Sequence, residues 1–271
     1  MPHSPTLPSL RPDRFDSAGQ NQLVDIRDLQ ALLPGLERLR QWAHDALALR
    51  AGESALDIGS GTGSEVIAFA DAVGSAGTAL GVEPDPHLLA SSQRRAKEAG
   101  SPAQFVPGDA YGLPFGADIF DAVLCERAFQ HLTAPQRAAT EIARVLRPGG
   151  RAVVVDADWG TALIHPGDHA VVRSVIDTLI TNTTNPFSGR RIPGLLSKAG
   201  LVVDEVGSHA LVQERTVGAG TLVAKIATLA AARGAITAAQ REQLLAELDA
   251  GAASGDIHLS VTMFAVLAHK P

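Results

Sequence analysis

The sequence predicts an α/β fold in which a parallel sheet is wound with helices on both faces. Three observations lead there. Strand-like apolar runs and amphipathic stretches alternate from Ser54 to Asp156, the pattern left by successive strand-helix-strand units. The first apolar run, Ala55-Leu56-Asp57-Ile58, passes directly into Gly59-Ser60-Gly61-Thr62-Gly63 and then into a helical stretch. Acidic residues stand where later strands end, in Gly81-Val82-Glu83-Pro84-Asp85 and in Gly108-Asp109-Ala110.

Taken in order, Met1 to Pro12 holds four prolines and no periodicity, so it reads as a tail. From Leu23 to Ala48 apolar residues recur at helical spacing, with Pro34-Gly35 as a break between two helices. Residues 1–50 are therefore expected to form a tail and a helical lid ahead of the main domain, residues 51–271. Arg50 to Glu53 turn into a strand, Ser54 to Ile58, and the helix after the glycines runs from about Ser64 to Ala72. A further strand covers Arg151 to Asp156. Beyond it the pattern predicts a loop over Trp159 to Pro166, a helix over Gly167 to Asn182, a polar loop over Thr183 to Gly189 and a short helix over Gly194 to Ala199. Leu201 to Arg215 reads as the sixth strand. Helices over Gly218 to Ala232 and Thr237 to Ala250 precede a closing strand, Ile257 to Ala268. The stretch 159–200 is expected to be an insertion on the acceptor side.

Composition narrows the setting. At 271 residues and 45% hydrophobic the chain can fill a large core, and a formal charge of −6 with dispersed basic residues leaves no stripe to follow a nucleic-acid backbone. No run has the length of a membrane span, and the start lacks the basic and apolar regions of a secretory signal, so a cytoplasmic setting is expected. The single Cys125 rules out an intramolecular disulfide and a multi-cysteine zinc cluster. His165, Asp168 and His169 lie close in sequence but on loop and helix-start positions, which predicts a surface loop and no metal site.

The glycine turn is the chemical centre. Without a Cβ, Gly59, Gly61 and Gly63 can take positive φ and let a ligand lie against the main chain, while the amides of the following helix favour its anionic end. A carboxylate at the tip of the next strand, Glu83, has the geometry to accept hydrogen bonds from both hydroxyls of a ribose. The glycines follow G-x-G-x-G, with the third one position too early for the dinucleotide fingerprint G-x-G-x-x-G.

With Asp57 two positions ahead of the first glycine, these residues resemble motif I of the class I S-adenosylmethionine-dependent methyltransferases, D-x-G-x-G-x-G. The resemblance continues through Phe120 to Cys125, similar to that family's fourth strand, Glu126 to Leu132, similar to the loop after it, and Ile142 to Gly150, similar to its "LKPGG" turn. It covers about Ala55 to Val155 and is nearest to the small-molecule branch containing the ubiquinone and menaquinone C-methyltransferases and natural-product enzymes. It implies a Rossmann-like, seven-stranded, mostly parallel sheet with an antiparallel last strand. It also places Asp57, Gly59, Ser60, Gly61, Gly63, Glu83, Pro84, Asp109, Ala110 and Glu126 around S-adenosyl-L-methionine, with Glu83 on the ribose and Asp109 on the adenine amino group.

Methyl transfer from a sulfonium demands alignment and exclusion of water, with a base where the acceptor must lose a proton. Candidates stand after the fourth and fifth strands. His131 and Asp158 are the candidate catalytic groups. Against His131 stands a structural role, since a histidine is common at this place in the family, and against Asp158 stands a capping role. Trp159 is a candidate wall of the acceptor pocket. Arg190 and Arg191 are candidates for an acceptor carboxylate or phosphate, with an ion pair to Asp158 as the alternative for one of them. The sequence therefore points to methyl transfer onto a small hydrophobic or aromatic acceptor at oxygen, nitrogen or carbon, by a monomer or homodimer. A nonmethylating cyclase or regulatory module on the same fold stays open. A nicotinamide-dependent oxidoreductase is opposed by the glycine spacing.

Overall fold

The computed structural model describes residues 34–212 and 222–271. Its seven strands are β1 (Ser54–Ile58), β2 (Thr78–Glu83), β3 (Gln104–Pro107), β4 (Phe120–Glu126), β5 (Leu146–His165), β6 (Val202–Val212) and β7 (His258–His269). They form one sheet in the order β3-β2-β1-β4-β5-β7-β6. Ladders between β1 and β2, β2 and β3, β1 and β4, and β4 and β5 are parallel, and only β7 runs against its two neighbours. The chain winds outward from β1 to β3 and returns to place β4 on the other side of β1. Open α/β sheets take their ligands at such a reversal, outside the carboxyl ends of the strands, here β1 and β4.

Helices cover both faces. On one face lie α1 (Pro34–Leu47), α2 (Ser64–Val73) and α3 (Pro86–Glu98), around a core that includes Leu36, Leu47, Phe69, Leu124 and Val153. On the other lie α4 (Pro135–Val145) and α6 (Ser188–Lys198), packing Ile142, Ile192 and Leu196 onto Leu56, Val123 and Val266. Local chemistry sets the ends: Asp85 caps α3 by accepting the His87 and Leu88 amides at 2.8 and 3.1 Å. Three more helices, α5 (His169–Asn182), α7 (Leu222–Ala232) and α8 (Ala238–Ser254), form a lobe with its own core of Val175, Leu179, Ile226, Ala230 and Leu244.

Several expectations need correction. Trp159 to Pro166 is not a loop: β5 continues to His165, and Leu163, Ile164 and His165 pair with Ser260, Leu259 and His258. A register shift between Asp158 and Leu163, around Gly160, breaks the alternation that would have revealed the strand. The short helix expected at Gly194 begins at Ser188, so Arg190 and Arg191 are helical, with Pro193 inside the helix. Proline and two glycines disguised that start. Smaller shifts put the start of α5 at His169, behind its cap Asp168, and the end of α8 at Ser254.

Within 159–200 only α5 leaves the sheet, to join α7 and α8, while α6 belongs to the main core. The helix α1 buries Leu36, Leu39, Ala43 and Leu47 against the sheet, so it is a layer of the core whose polar stripe alone faces the crevice. The expected tail, the first part of the Leu23 helix and the segment from Gln213 to Thr221 lie outside the described residues.

Candidate active site

The crevice is built on the turn after β1. Gly59 and Ser60 donate their amides to the Val82 carbonyl at 2.8 and 3.1 Å, which fastens the turn to β2. Gly59, Gly61 and Gly63 have φ of 77°, 55° and 89°. From the tip of β2, buried Glu83 accepts the Gly61 amide at 2.8 Å and the Asp85 amide at 3.0 Å. The carboxylate expected to meet a ribose therefore stands at the edge of the bared main chain. Pro84 is exposed beside it.

Asp57 is buried in β1, and none of the described hydrogen bonds reaches its carboxylate. Burial first, then the neighbouring Glu65, Glu126 and Glu83, push it well above the usual carboxylate range. Ser60 Oγ is likewise buried with no partner. Glu126, at the end of β4, is held below the ordinary value despite burial, because Arg127 and Arg40 face it. Asp109 is exposed and accepts the Tyr111 amide at 2.7 Å. Ala110 lies in the core, so only its main chain is available to a ligand.

Around the second half of β5 the groups are tied into a network. Asp158 is fully buried and paired by Arg190, whose Nε and Nη2 both donate to it, the latter at 2.8 Å. Arg190 also stacks over the Phe187 ring at 5.0 Å. Trp159 donates Nε1 to Gln130 at 3.0 Å and packs between the sheet core and the three-helix lobe. Asp156 accepts the Gln130 and Ala157 amides at 2.8 and 2.7 Å, and burial raises it to about 7. Asn185 donates to the Phe129 and Leu132 carbonyls, closing the 3-10 turn Phe129–His131 against the start of α6. His131 is half-buried at the end of that turn.

The structure thus brings Asp57, the glycine turn, Glu83 and Glu126 together at the switch point, and Asp158 and Trp159 of β5 together with Arg190 of α6. It divides the arginine pair. Arg190 is the structural member, while Arg191 is exposed with no ion-pair partner among the described residues and lines a shallow cleft with Phe129, Pro135 and Leu195. Arg190→Ala is therefore expected to lower the melting temperature. Arg191→Ala should leave melting unchanged and raise the acceptor KM, as thermal melts and steady-state kinetics would show.

Sequence reasoning missed Arg40, which reaches both Glu126 and Glu65, His44, which reaches Glu65, and the wedge formed by Gln130 and Asn185. A cavity of about 240 Å³ lies at the opposite end of β2 between Ala70, Val73, Thr78 and Gln104. It has no titratable lining and stands away from this chemistry.

A buried carboxylate at Asp57 that no described hydrogen bond reaches, positive-φ main chain at Gly59 and Gly61 and the Glu83 carboxylate at its edge form a set that fits a cofactor with a cationic group beside one end and a nucleoside at the other. Residues 56–154 match the family model described as a methyltransferase domain. A 37.1 kDa protein in transposon Tn4556 of Streptomyces fradiae is 33% identical over 71% of this chain and 55% of its own length. A ubiquinone/menaquinone biosynthesis C-methyltransferase of Roseobacter denitrificans is 37% identical over 45% of this chain and 50% of its own. The chain thus spans about half the length of these relatives. The crystal structure of a SAM-dependent methyltransferase from Aquifex aeolicus shares the fold, at 18% identity and a TM-score of 0.52, covering 71% of this chain and 92% of that one. Among the described residues no helix is long and apolar enough to cross a membrane. Over residues 56–154 the chain is thus similar to the methyltransferase-domain family, and S-adenosylmethionine is the cofactor that this similarity implies.

Proposed function

We propose that this chain transfers the methyl group of S-adenosyl-L-methionine to a small hydrophobic or aromatic acceptor at oxygen, nitrogen or carbon. The observation that carries the reading is the seat at the switch point, where Glu83 meets the Gly61 amide and no described hydrogen bond reaches the buried Asp57 carboxylate. When bound, the cofactor supplies an electrophilic methyl group on a good leaving group. The chain's residues have four tasks. Glu83 accepts the ribose hydroxyls, with Pro84 against the same end and Asp109 toward the base. Asp57 and Glu126 face the α-ammonium of the amino-acid end, over the main chain of Gly59, Ser60, Gly61 and Gly63. Trp159, with the three-helix lobe behind it, walls the acceptor and excludes water.

The fourth task is proton removal. Asp158, locked by Arg190, ties β5 to α6 and is poorly placed to take a proton, so His131 is the candidate base, through a ring nitrogen. His131→Gln should lower kcat by about 100-fold or more, in the range usual for a general base, with cofactor affinity unchanged. An unchanged rate rejects the role. The similarity to quinone C-methyltransferases makes electron-rich aromatic rings the first acceptors to try, and Arg191 adds a preference for an anionic substituent.

The deciding experiment incubates the protein with an acceptor panel and follows the gain of one methyl mass together with S-adenosylhomocysteine. Product formed without cofactor consumption would replace this reading with a cyclase. Absence of binding to either S-adenosylmethionine or S-adenosylhomocysteine would remove it.

A further inference from the structure

The acids around the seat are bridged by a cation from outside it. Arg40, on the polar stripe of α1, donates Nε to Glu126 Oε2 at 2.9 Å and Nη2 to Glu126 Oε1 at 3.1 Å. The same Nε lies 3.3 Å from Glu65 Oε1, in the first turn of α2. One turn along α1, His44 Nε2 stands 2.6 Å from Glu65 Oε2. Arg127 completes the cluster at 3.0 Å from Glu126. Glu126 closes β4 and Glu65 stands in the first turn of α2, directly after the glycine turn, so the shared Arg40 Nε draws the two carboxylates together beside that turn. A planar guanidinium contacting both fixes their separation and orientation, which a flexible point charge cannot do. Its charge also offsets mutual repulsion among Glu65, Glu126 and the unpaired Asp57, all gathered where water is scarce.

We propose that Arg40 is a positioning residue for the cofactor: by bridging Glu126 and Glu65 it sets the width and charge of the slot that receives the amino-acid end of S-adenosylmethionine. The inference rests on the cofactor reading above. Arg40 acts through the two glutamates, and its loss lets them splay or take up protons. The effect falls on binding and leaves the chemical step alone.

The test is calorimetric titration with S-adenosylhomocysteine, accompanied by thermal melts and by kinetics at saturating cofactor. Wild-type protein is expected to bind. Folded Arg40→Gln should bind at least 10-fold more weakly, with kcat within about 2-fold of wild type, and Arg40→Lys should fall between. Glu126→Gln should also weaken binding, and adding it to Arg40→Gln should cost little more, because the two act as one unit. A purely structural role would lower melting and leave the dissociation constant of the folded protein unchanged, and that result overturns the proposal. If Arg40→Gln does not fold, Arg40→Lys decides, since wild-type affinity there overturns it equally. Failure of the wild type to bind rejects the cofactor reading itself, a separate outcome.

Discussion

Gly63→Val is expected to be the most damaging single substitution in the cofactor turn, costing on the order of 4 kcal/mol of stability from backbone strain and overpacking together. At φ 89° the position is one that a β-branched residue rarely adopts. A Cβ built there would lie 2.7 Å from the Phe105 ring and 2.8 Å from the Ser92 side chain. Phe105 and Ser92 come from β3 and α3 and are buried, so neither can yield without disturbing its own layer. Chemical denaturation, read by two probes to establish a single transition, would measure the loss. A variant within about 1 kcal/mol of the wild type, below the usual overpacking cost, would show that the turn rearranges more freely than its contacts imply. Gly59 provides the contrast, since a Cβ there meets only the Ala128 methyl, at 3.4 Å. There, strain dominates.

Glu83→Ala is expected to weaken binding of S-adenosylhomocysteine by roughly 100-fold or more. Two hydrogen bonds from ribose hydroxyls to a charged acceptor contribute about 1.5–3 kcal/mol each, and their sum corresponds to that ratio. The change also strips the Gly61 and Asp85 amides of their acceptor, so the turn itself loosens. Calorimetry with S-adenosylhomocysteine and with the free amino-acid fragment separates the two effects. Selective loss of nucleoside affinity marks a ribose contact, equal loss for both ligands marks a disordered turn, and unchanged affinity removes Glu83 from the site.

Most of the central sheet was legible because its signals are local. Ala55 to Ile58 is an apolar run that stops at a glycine, and Gly81 to Asp85 repeats the theme with a carboxylate and a proline. Such patterns survive without knowledge of what packs on them. The extension of β5 was hidden because its partner residues, His258 to Ser260, lie almost a hundred positions away, and because the irregularity at Gly160 erases the twofold alternation. The start of α6 was hidden by the opposite fault: Gly189, Pro193 and Gly194 all argue against a helix, yet Ile192 and Leu196 bury completely against the sheet and that packing prevails over propensity.

The candidate site divides along the same line. Glu83 and the glycines were readable from spacing, and an ion pair between Asp158 and one arginine could be weighed in advance. The cluster of Arg40, His44, Glu65 and Glu126 could not, since nothing in four isolated charges shows that α1 lies beside α2 with its polar stripe turned to the end of β4. The i, i+4 spacing of Arg40 and His44 marks only a common face.

The separate core of α5, α7 and α8 has an evolutionary consequence. None of its packed side chains comes from residues 56–154, so substitutions that reshape the lobe are insulated from the crevice that grips the cofactor. Such substitutions can accumulate at one end of the molecule without disturbing the packing beneath the glycine turn at the other. Trp159, packed against both this core and that of the sheet, is the residue through which a change in the lobe would first reach the sheet.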